Sequence, residues 1–188
     1  MKNVAINLID PLKLALLLFF LTITISCCNK DDDNPPPDPV GQLPPATQTG
    51  AGTFGCLLDG EVFLPGNTPN NLDCVYQFVN GGYYFTLQSN RRINGSELQA
   101  IAILSNDFQI EEGFTYDLKE NIPNNVTGLY RFNFNSYYTN NINTGKLTIT
   151  KLDYTNHIIS GTFWFDVIDS NNVVHQVRDG RFDVRFTE

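Results

Sequence analysis

The sequence of 188 residues is poor in histidine, methionine and basic charge. It has two His and one Met, and its 12 Lys and Arg face 20 Asp and Glu, a formal net charge of −8. Nucleic-acid binding needs basic residues that displace counterions from phosphates, so we expect no nucleic-acid partner. The sequence also has no CxxC, no His/Cys cluster, no Gly-x-Ser-x-Gly and no phosphate-binding glycine loop. We therefore predict no metal, no cofactor and no enzyme activity.

Residues 14–26 form an uncharged apolar run of thirteen residues. Crossing a membrane takes about 20 apolar residues, whereas a run of about 10 to 14 is typical of a signal-peptide core. The tetrapeptide TISC at residues 24–27 resembles a lipobox, at which bacterial lipoproteins are lipidated on the cysteine and cleaved before it. We predict a signal peptide at residues 1–26 and lipidation of Cys27, with Cys28 as the alternative in the shifted frame ISCC. Another interpretation is ordinary upstream cleavage, with both cysteines in disulfides.

A lysine and three aspartates follow the two cysteines closely: Lys30, Asp31, Asp32 and Asp33. This run resembles the surface-export signal of Bacteroidota lipoproteins. The resemblance implies an outer-membrane protein that is held in the membrane through its lipid and faces the cell exterior. The alternative is a solvated charge run on an anchor that faces the periplasm.

Proline dominates the segment that comes next, because six of the thirteen residues 34–46 are Pro. Proline favours an extended polyproline II path, so this segment is typical of a semi-rigid stalk. Residues 47–52, TQTGAG, are typical of a flexible junction. We therefore predict an acidic and Pro-rich tether at residues 27–52 and a single folded domain at residues 53–188, a size sufficient for one core.

The domain is rich in residues that favour strands, with 14 Phe and 8 Tyr in the chain. Short alternating runs are separated by Asn, Asp and Gly, and Asp59-Gly60 suits a type I′ hairpin turn. We predict an all-β fold, a single antiparallel β-sandwich of nine to eleven strands. A closed, up-and-down, lipocalin-like barrel is the alternative.

Four local interpretations follow from the same pattern of strand and turn residues. Residues 137–144, YYTNNINT, are predicted to be a polar loop, and residues 90–96 a turn. Residues 173–177 and 181–186 are predicted to be two strands, separated at Asp179-Gly180. Along residues 157–168, Phe163, Phe165 and Val167 are expected on one face and Trp164 on the other.

Two phrases of the sequence are distinctive, one running from Gly55 to Phe63 and one from Gly180 to Asp183. Together with the cysteine, acidic run and stalk, they make the chain similar to a family of uncharacterised, flavobacterial-type Bacteroidota surface lipoproteins, classed as a domain of unknown function. The resemblance extends from Leu43 to Thr187. It implies the location and a β domain, and it implies no activity.

Cys56 and Cys74 are eighteen positions apart in a chain predicted to leave the cytoplasm, where disulfides persist. A Cys56–Cys74 disulfide is our first prediction, and it would contribute about 3 kcal/mol by closing that loop. Two buried free thiols are the alternative.

The two histidines, His157 and His175, fall on strands predicted to be neighbours, so they could lie near each other. A hydrolase or isomerase would need one of them beside a carboxylate in a cleft. Solvent-facing or hydrogen-bonded strand histidines are the simpler interpretation.

Two acidic groups could supply oxygen ligands to calcium, although neither matches an EF-hand loop. The first group is Asp107, Glu111 and Glu112, and the second is Asp166, Asp169 and Asn171. The second is also good hairpin-turn sequence for local reasons, and we favour that interpretation.

Aromatic residues outside the core face could form a stacking platform for a sugar. The candidates are Trp164, Tyr137 and Tyr138, with Tyr83 and Tyr84 as further members. Core or cross-strand packing is the alternative fate of these rings.

These observations favour a non-catalytic surface module that binds an extracellular ligand or partner protein, with a glycan as the most natural ligand. The alternative is a structural envelope protein without a small ligand. A His-dependent hydrolase or isomerase is the least favoured hypothesis.

Overall fold

The computed structural model describes residues 38–188, in which the regular secondary structure is nearly all β. The predicted signal peptide, Cys27, Cys28 and the Lys30–Asp33 run lie outside the described residues. The elements are a short 3₁₀ helix (Pro39–Gln42) and strands β1 (Thr53–Leu58), β2 (Glu61–Phe63), β3 (Leu72–Val79), β4 (Gly82–Ile93), β5 (Glu97–Asn106), β6 (Thr115–Leu118), β7 (Asn125–Phe132), β8 (Asn135–Tyr138), β9 (Gly145–Asp153), β10 (Ile158–Ile168) and β11 (Val174–Arg185). Nothing helical within 38–188 has the length and apolarity to cross a membrane.

All eleven strands belong to one sheet, in the order β2-β1-β11-β10-β9-β6-β7-β5-β4-β3, with β8 paired to β7. Every pairing is antiparallel except β6 with β7. The sheet rolls over so that Val75 of β3 makes an isolated parallel bridge to Thr187, just beyond β11. It is not closed, which is consistent with a β-sandwich. The predicted all-β class and strand number are confirmed, and the closed barrel is not what forms.

The inner face of the rolled sheet forms one continuous hydrophobic core, to which most strands contribute. β10 shows how the alternation builds it. Phe163, Phe165 and Val167 are 3%, 0% and 0% exposed, whereas Trp164 between them is 38% exposed. Because successive side chains of a strand point to opposite faces, the sequence pattern places these residues correctly.

The tight turns depend on residues that tolerate a left-handed backbone. Asp59 and Gly60 have φ of 53° and 84°, and Asn80 and Gly81 have φ of 52° and 90°. Positive φ at both central positions is the requirement of a type I′ turn, which matches the twist of the paired strands. The Asp59-Gly60 hairpin is therefore as predicted.

Three local predictions are wrong. β11 is one strand from Val174 to Arg185, because Asp179-Gly180 forms a bulge at which the register with both β1 and β10 shifts. β4 continues to Ile93 and β5 begins at Glu97, so the turn is shorter than predicted and comprises residues 94–96. Tyr137 lies in β8 and not in a loop, because the chain reverses earlier, at Asn133 (φ 53°).

The end of the predicted tether packs against the domain. Leu43 is buried at 7% exposure, and Pro44 lies against Gly55 of β1, where an added Cβ would come within 2.6 Å of the proline ring. Only a glycine leaves room for this close approach. Contacts with the domain therefore begin before its predicted start at Thr53, at Leu43 and Pro44.

The buried carboxylate of Asp183 holds this segment. It accepts six hydrogen bonds of 2.6–3.2 Å, from Thr47 Oγ1, Thr49 N and Oγ1, Gly50 N, Ala51 N and Ser160 Oγ. Burial by itself raises the pKa of Asp183, but the hydrogen bonds outweigh it and hold the pKa well below its usual range. A charged group therefore fastens the stalk to β11, and we call this arrangement the Asp183 clasp.

Candidate ligand-binding cleft

A cleft of about 450 Å³ opens at one end of the fold, between the β7–β8 hairpin and the turn joining β10 to β11. β7 contributes Tyr130 and Phe132, and β8 contributes Asn135 and Tyr137. The turn and the start of β11 contribute Asp169, Ser170, Asn171 and His175. Clefts at the open end of a β fold, with aromatic walls and a few polar groups, are typical ligand sites.

Tyrosine rings form the floor and one wall. Tyr130 and Tyr137 are paired across β7 and β8, so their side chains lie on the same face, with ring centroids 6.1 Å apart. Tyr130 is 4% exposed and its hydroxyl accepts a hydrogen bond from Gln99 Nε2 at 3.4 Å. Burial raises the pKa of Tyr130, so its phenol remains neutral. Tyr137 is only partly buried and keeps a face toward the cleft.

His175 is held between two carboxylates above this floor. Its Nδ1 lies 2.7 Å from Asp59 Oδ2, and its Nε2 lies 3.7 Å from Asp169 Oδ2. The imidazole centroid is 4.8 Å from that of Tyr130. Asp59 is fixed in turn, since its Oδ1 accepts the N–H of Gln176 at 2.7 Å. The β1–β2 turn therefore sets the orientation of a side chain on β11.

Asp169 organises the turn at the rim of the cleft. Its Oδ1 accepts the N–H groups of Asn171 and Val173, both at 2.8 Å. The hydrogen bond from Val173 is the main influence that lowers the pKa of Asp169, so the side chain is ionised at neutral pH. Its Oδ2 has only long contacts, 3.4 Å to Asn171 Nδ2 and 3.7 Å to His175 Nε2. That oxygen retains acceptor capacity on the side of the cleft.

The side chains considered as calcium ligands contact different protein partners and do not converge on one point. Asp169 holds its own turn, while Asp166 pairs with Arg178 at 2.6 Å. In the other group, Glu112 Oε2 accepts the N–H of Leu152 at 2.8 Å. Across residues 38–188 no set of three or more His, Cys, Asp or Glu side chains is placed to hold a metal ion. The hairpin-turn interpretation of Asp169 and Asn171 is the one that the hydrogen bonds support.

The three residues predicted to stack on a ligand are not brought together. Tyr137 lines the cleft, whereas Tyr138 follows it in β8 and points to the opposite face. Trp164 lies on the outer face of β10 beside another cleft, with the guanidinium of Arg178 5.3 Å from its ring centroid. Tyr83 packs on Tyr76, with ring centroids 5.6 Å apart.

The two histidines are also far apart. His175 pairs with Val167 at one end of β10, and the carbonyl of His157 accepts the N–H of Phe186 beyond the other end. About ten residues of strand separate these positions, roughly 30 Å at about 3.3 Å per residue. β10 and β11 are neighbours as predicted, but the two histidines, which could have lain near each other, occupy opposite ends of this strand pair.

Cys56 and Cys74 are both buried with free thiols, at 0% and 3% exposure. Burial raises the pKa of each thiol. The structure therefore contains two buried free thiols, which was the alternative interpretation of the sequence. The predicted Cys56–Cys74 disulfide is not formed. Cys56 lies on β1 and Cys74 on β3, and these strands are not paired in the sheet.

Sequence reasoning missed Tyr130, Phe132, Asn135 and Asp59 as site residues. The alternation along β7 does place the two aromatics on one face, but it does not show that the face ends in a cleft. Asp59 and His175 are 116 positions apart, and no local pattern relates a turn aspartate to a distant strand histidine.

Comparison with known proteins identifies a domain of unknown function, DUF6252, at residues 92–184. This range extends from the end of β4 into β11 and includes every residue that lines the cleft. It confirms the expectation of an uncharacterised domain family. No curated protein and no solved structure matches the chain.

Proposed function

We propose that this protein is a lipid-anchored outer-membrane protein of the Bacteroidota type, displayed on the cell exterior, whose β domain binds a glycan in the cleft without catalysing a reaction. The carrying observation is the cleft itself, in which tyrosine and phenylalanine rings adjoin amide, carboxylate and imidazole groups. Tyr137 is the residue we expect to carry most of the stacking.

The composition of the cleft suits a sugar. A pyranose ring presents apolar C–H faces and polar hydroxyl edges, so it needs a flat apolar surface with hydrogen-bonding groups at its rim. Phe132 and Tyr137 supply partly exposed rings, and Asn135 and Asn171 supply amides that can both donate and accept. A volume of about 450 Å³ accommodates a short oligosaccharide segment.

The proposed anchor is consistent with the packed stalk. If Cys27 carries the lipid, about eleven residues separate it from Asp38, where the described chain begins. A fully extended chain of that length spans at most about 40 Å. The Asp183 clasp holds residues 47–51 on the domain, so only the residues before them are left to act as the tether.

The test of glycan binding compares adjacent tyrosines. The detergent-solubilised mature protein is screened on immobilised glycans, and affinities for each hit are measured by calorimetry for wild type, Tyr137→Ala and Tyr138→Ala. Loss of one aromatic stacking contact of about 1.5 kcal/mol predicts a weakening of about tenfold for Tyr137→Ala. Tyr138→Ala, on the opposite face of β8, is the matched control and keeps wild-type affinity.

The proposal fails if no glycan binds, or if the two variants weaken binding equally. Absence of any glycan ligand would favour the alternative of a structural envelope protein.

The test of location uses the two cysteines. We expect the Cys27→Ala, Cys28→Ala double variant to lose partition into detergent and to be processed slowly. Protease added to intact cells should degrade the wild-type domain. Survival of the domain until the envelope is broken would contradict surface display.

A His-dependent hydrolase or isomerase is a second candidate, which the contact of His175 with Asp59 in the cleft favours. A carboxylate on Nδ1 is the arrangement that orients a catalytic imidazole. However, Nε2, the nitrogen that would take a proton, faces the carboxylate of Asp169 at 3.7 Å. Mass spectrometry together with NMR of a bound glycan after prolonged incubation separates the two functions, because hydrolysis changes the mass, isomerisation changes the NMR spectrum, and a binding module leaves both unchanged.

A further inference from the structure

We infer that the ligand of the cleft carries a positively charged amino group, as in a glycan built from amino sugars, held between Asp169 and the ring of Tyr137. This inference rests on the proposed glycan-binding function and narrows it to a chemical class.

The acidic side chains at the cleft are not matched by lysine or arginine. Its lining includes the carboxylate of Asp169 and no lysine or arginine, and the carboxylate of Asp59 lies directly behind His175. Two carboxylates, those of Asp169 and Asp59, therefore border the cleft, one on each side of His175. Within residues 38–188, the salt-bridge contacts of both carboxylates are to His175, and no lysine or arginine pairs with either.

One carboxylate oxygen of Asp169, Oδ2, can accept a hydrogen bond from a ligand. Its Oδ1 is occupied by two backbone N–H groups, whereas the contacts of Oδ2 exceed the length of a strong hydrogen bond. The side chain is 13% exposed, so an ammonium group that reached it would be partly desolvated. Hydrogen bonds between two ionised groups are shorter and stronger than neutral ones, and partial burial strengthens them further.

The aromatic floor favours the same charge. Tyrosine and phenylalanine rings are negative on their faces and attract a cation within about 6 Å of the ring centroid. Tyr130 and Tyr137 lie 6.1 Å apart and tilted at 33°, and Tyr130 also lies beneath His175. An ammonium group placed over the exposed face of Tyr137 and toward Asp169 Oδ2 gains both interactions, whereas an acetamide gains neither charge term.

The experiment compares two glycan probes that differ only in whether the amino group is free or N-acetylated. An oligomer of β-1,4-linked glucosamine and its fully N-acetylated counterpart are titrated into the detergent-solubilised mature protein at physiological salt, in a mildly acidic buffer in which the sugar amines are protonated and Asp169, whose pKa is lowered, stays ionised. The expected result is that the amino form binds about tenfold more tightly, the size of one charge-assisted contact at a partly exposed site. An oligolysine of equal charge should not bind comparably.

Asp169→Asn should remove the preference for the amino form. Asparagine keeps a carbonyl oxygen that can accept the turn hydrogen bonds, so the turn survives while the charge is lost. Asp179→Asn, an exposed acid on the same strand as His175, is the control that changes the net charge equally and keeps the preference.

The outcomes separate failure of the amino-group inference from failure of the proposed glycan-binding function. Equal binding of the two oligomers, a preference that persists in Asp169→Asn, or comparable binding of oligolysine overturns the inference. A screen that finds only neutral or acidic glycan ligands overturns it as well, and leaves the proposed glycan-binding function standing. If no glycan binds at all, the proposed function itself fails.

Discussion

Replacing Asp183 by asparagine should destabilise the domain because it dismantles the clasp that fastens the stalk. The carboxylate is fully buried and accepts six hydrogen bonds from Thr47, Thr49, Gly50, Ala51 and Ser160. Asparagine is nearly isosteric, but it offers a single acceptor oxygen and turns an NH₂ group toward donors that then lack a partner.

The magnitude follows from the number of donors left without an acceptor. About half of the six hydrogen bonds lose their acceptor, and each unsatisfied buried group costs about 1–3 kcal/mol. Part of this cost is relieved when the segment around Gly50 detaches and its N–H groups bind water. We therefore expect a loss of about 3 kcal/mol in the free energy of unfolding, or about 6–12 °C in Tm for a chain of this size.

The pH dependence gives an independent check of the charge. The folded pKa of Asp183 is depressed, so its stabilisation is fully present above the unfolded pKa, about 3.9, and is lost as pH falls toward the folded pKa. The difference between wild type and Asp183→Asn should be constant from pH 8 to about pH 5. Below about pH 4 it should shrink by up to about 1.4 kcal/mol per pH unit.

The assay is urea unfolding followed by circular dichroism at pH 7 and pH 3.5, with hydrogen exchange at the amides of Gly50 and Ala51. Asp179→Asn is the matched control, because it makes the same change to an exposed acid four residues earlier in β11. A loss for Asp183→Asn no larger than that for Asp179→Asn would refute the reasoning. So would amides that stay protected, or a difference that is the same at both pH values.

Two further predictions concern the core. Gly145→Ala should lower the free energy of unfolding by about 2 kcal/mol or more, because the added Cβ would meet the backbone carbonyl oxygen of Trp164. Gly41→Ala is the control, since open space surrounds Gly41, and it should change the free energy of unfolding by less than about 0.5 kcal/mol in the same urea titration. Cys56 and Cys74 should not react with a thiol reagent in the folded protein, since both are buried and their raised pKa keeps them as thiols, and both should react in denaturant. A mass lower by two hydrogens and no reaction in denaturant would instead show a disulfide.

The strands and most turns could be predicted because their causes are local. Along β10, the alternation of Phe163, Trp164 and Phe165 separates the inner from the outer face, and Asp59-Gly60 satisfies a turn geometry by its own conformational freedom. Asp179-Gly180 shows the limit of such reasoning. The dipeptide Asp-Gly closes a hairpin at residues 59–60 but forms a bulge at residues 179–180. The difference arises because the strands on both sides decide whether the chain reverses.

The packed stalk was missed for a related reason. Residues 38–52 are rich in proline, glycine and threonine and have the composition of a linker. Residues 47–51 of this segment are held by a single buried acid, Asp183, which is more than 130 positions away along the chain. Composition alone does not reveal that such a partner exists.

The sequence by itself determined the class of fold, the inward face of most strands, the acidic balance and the expectation of an anchored, exported module, since each depends on neighbouring residues or on simple counts. Tertiary structure decided the strand order, the free state of Cys56 and Cys74, and the cleft in which Asp59, His175 and Tyr137 meet. The physical reason is that a repeat of two residues specifies which way a side chain points and contains no information on which strands become neighbours. Contacts between distant strands arise only when the whole sheet rolls up to bury its apolar face.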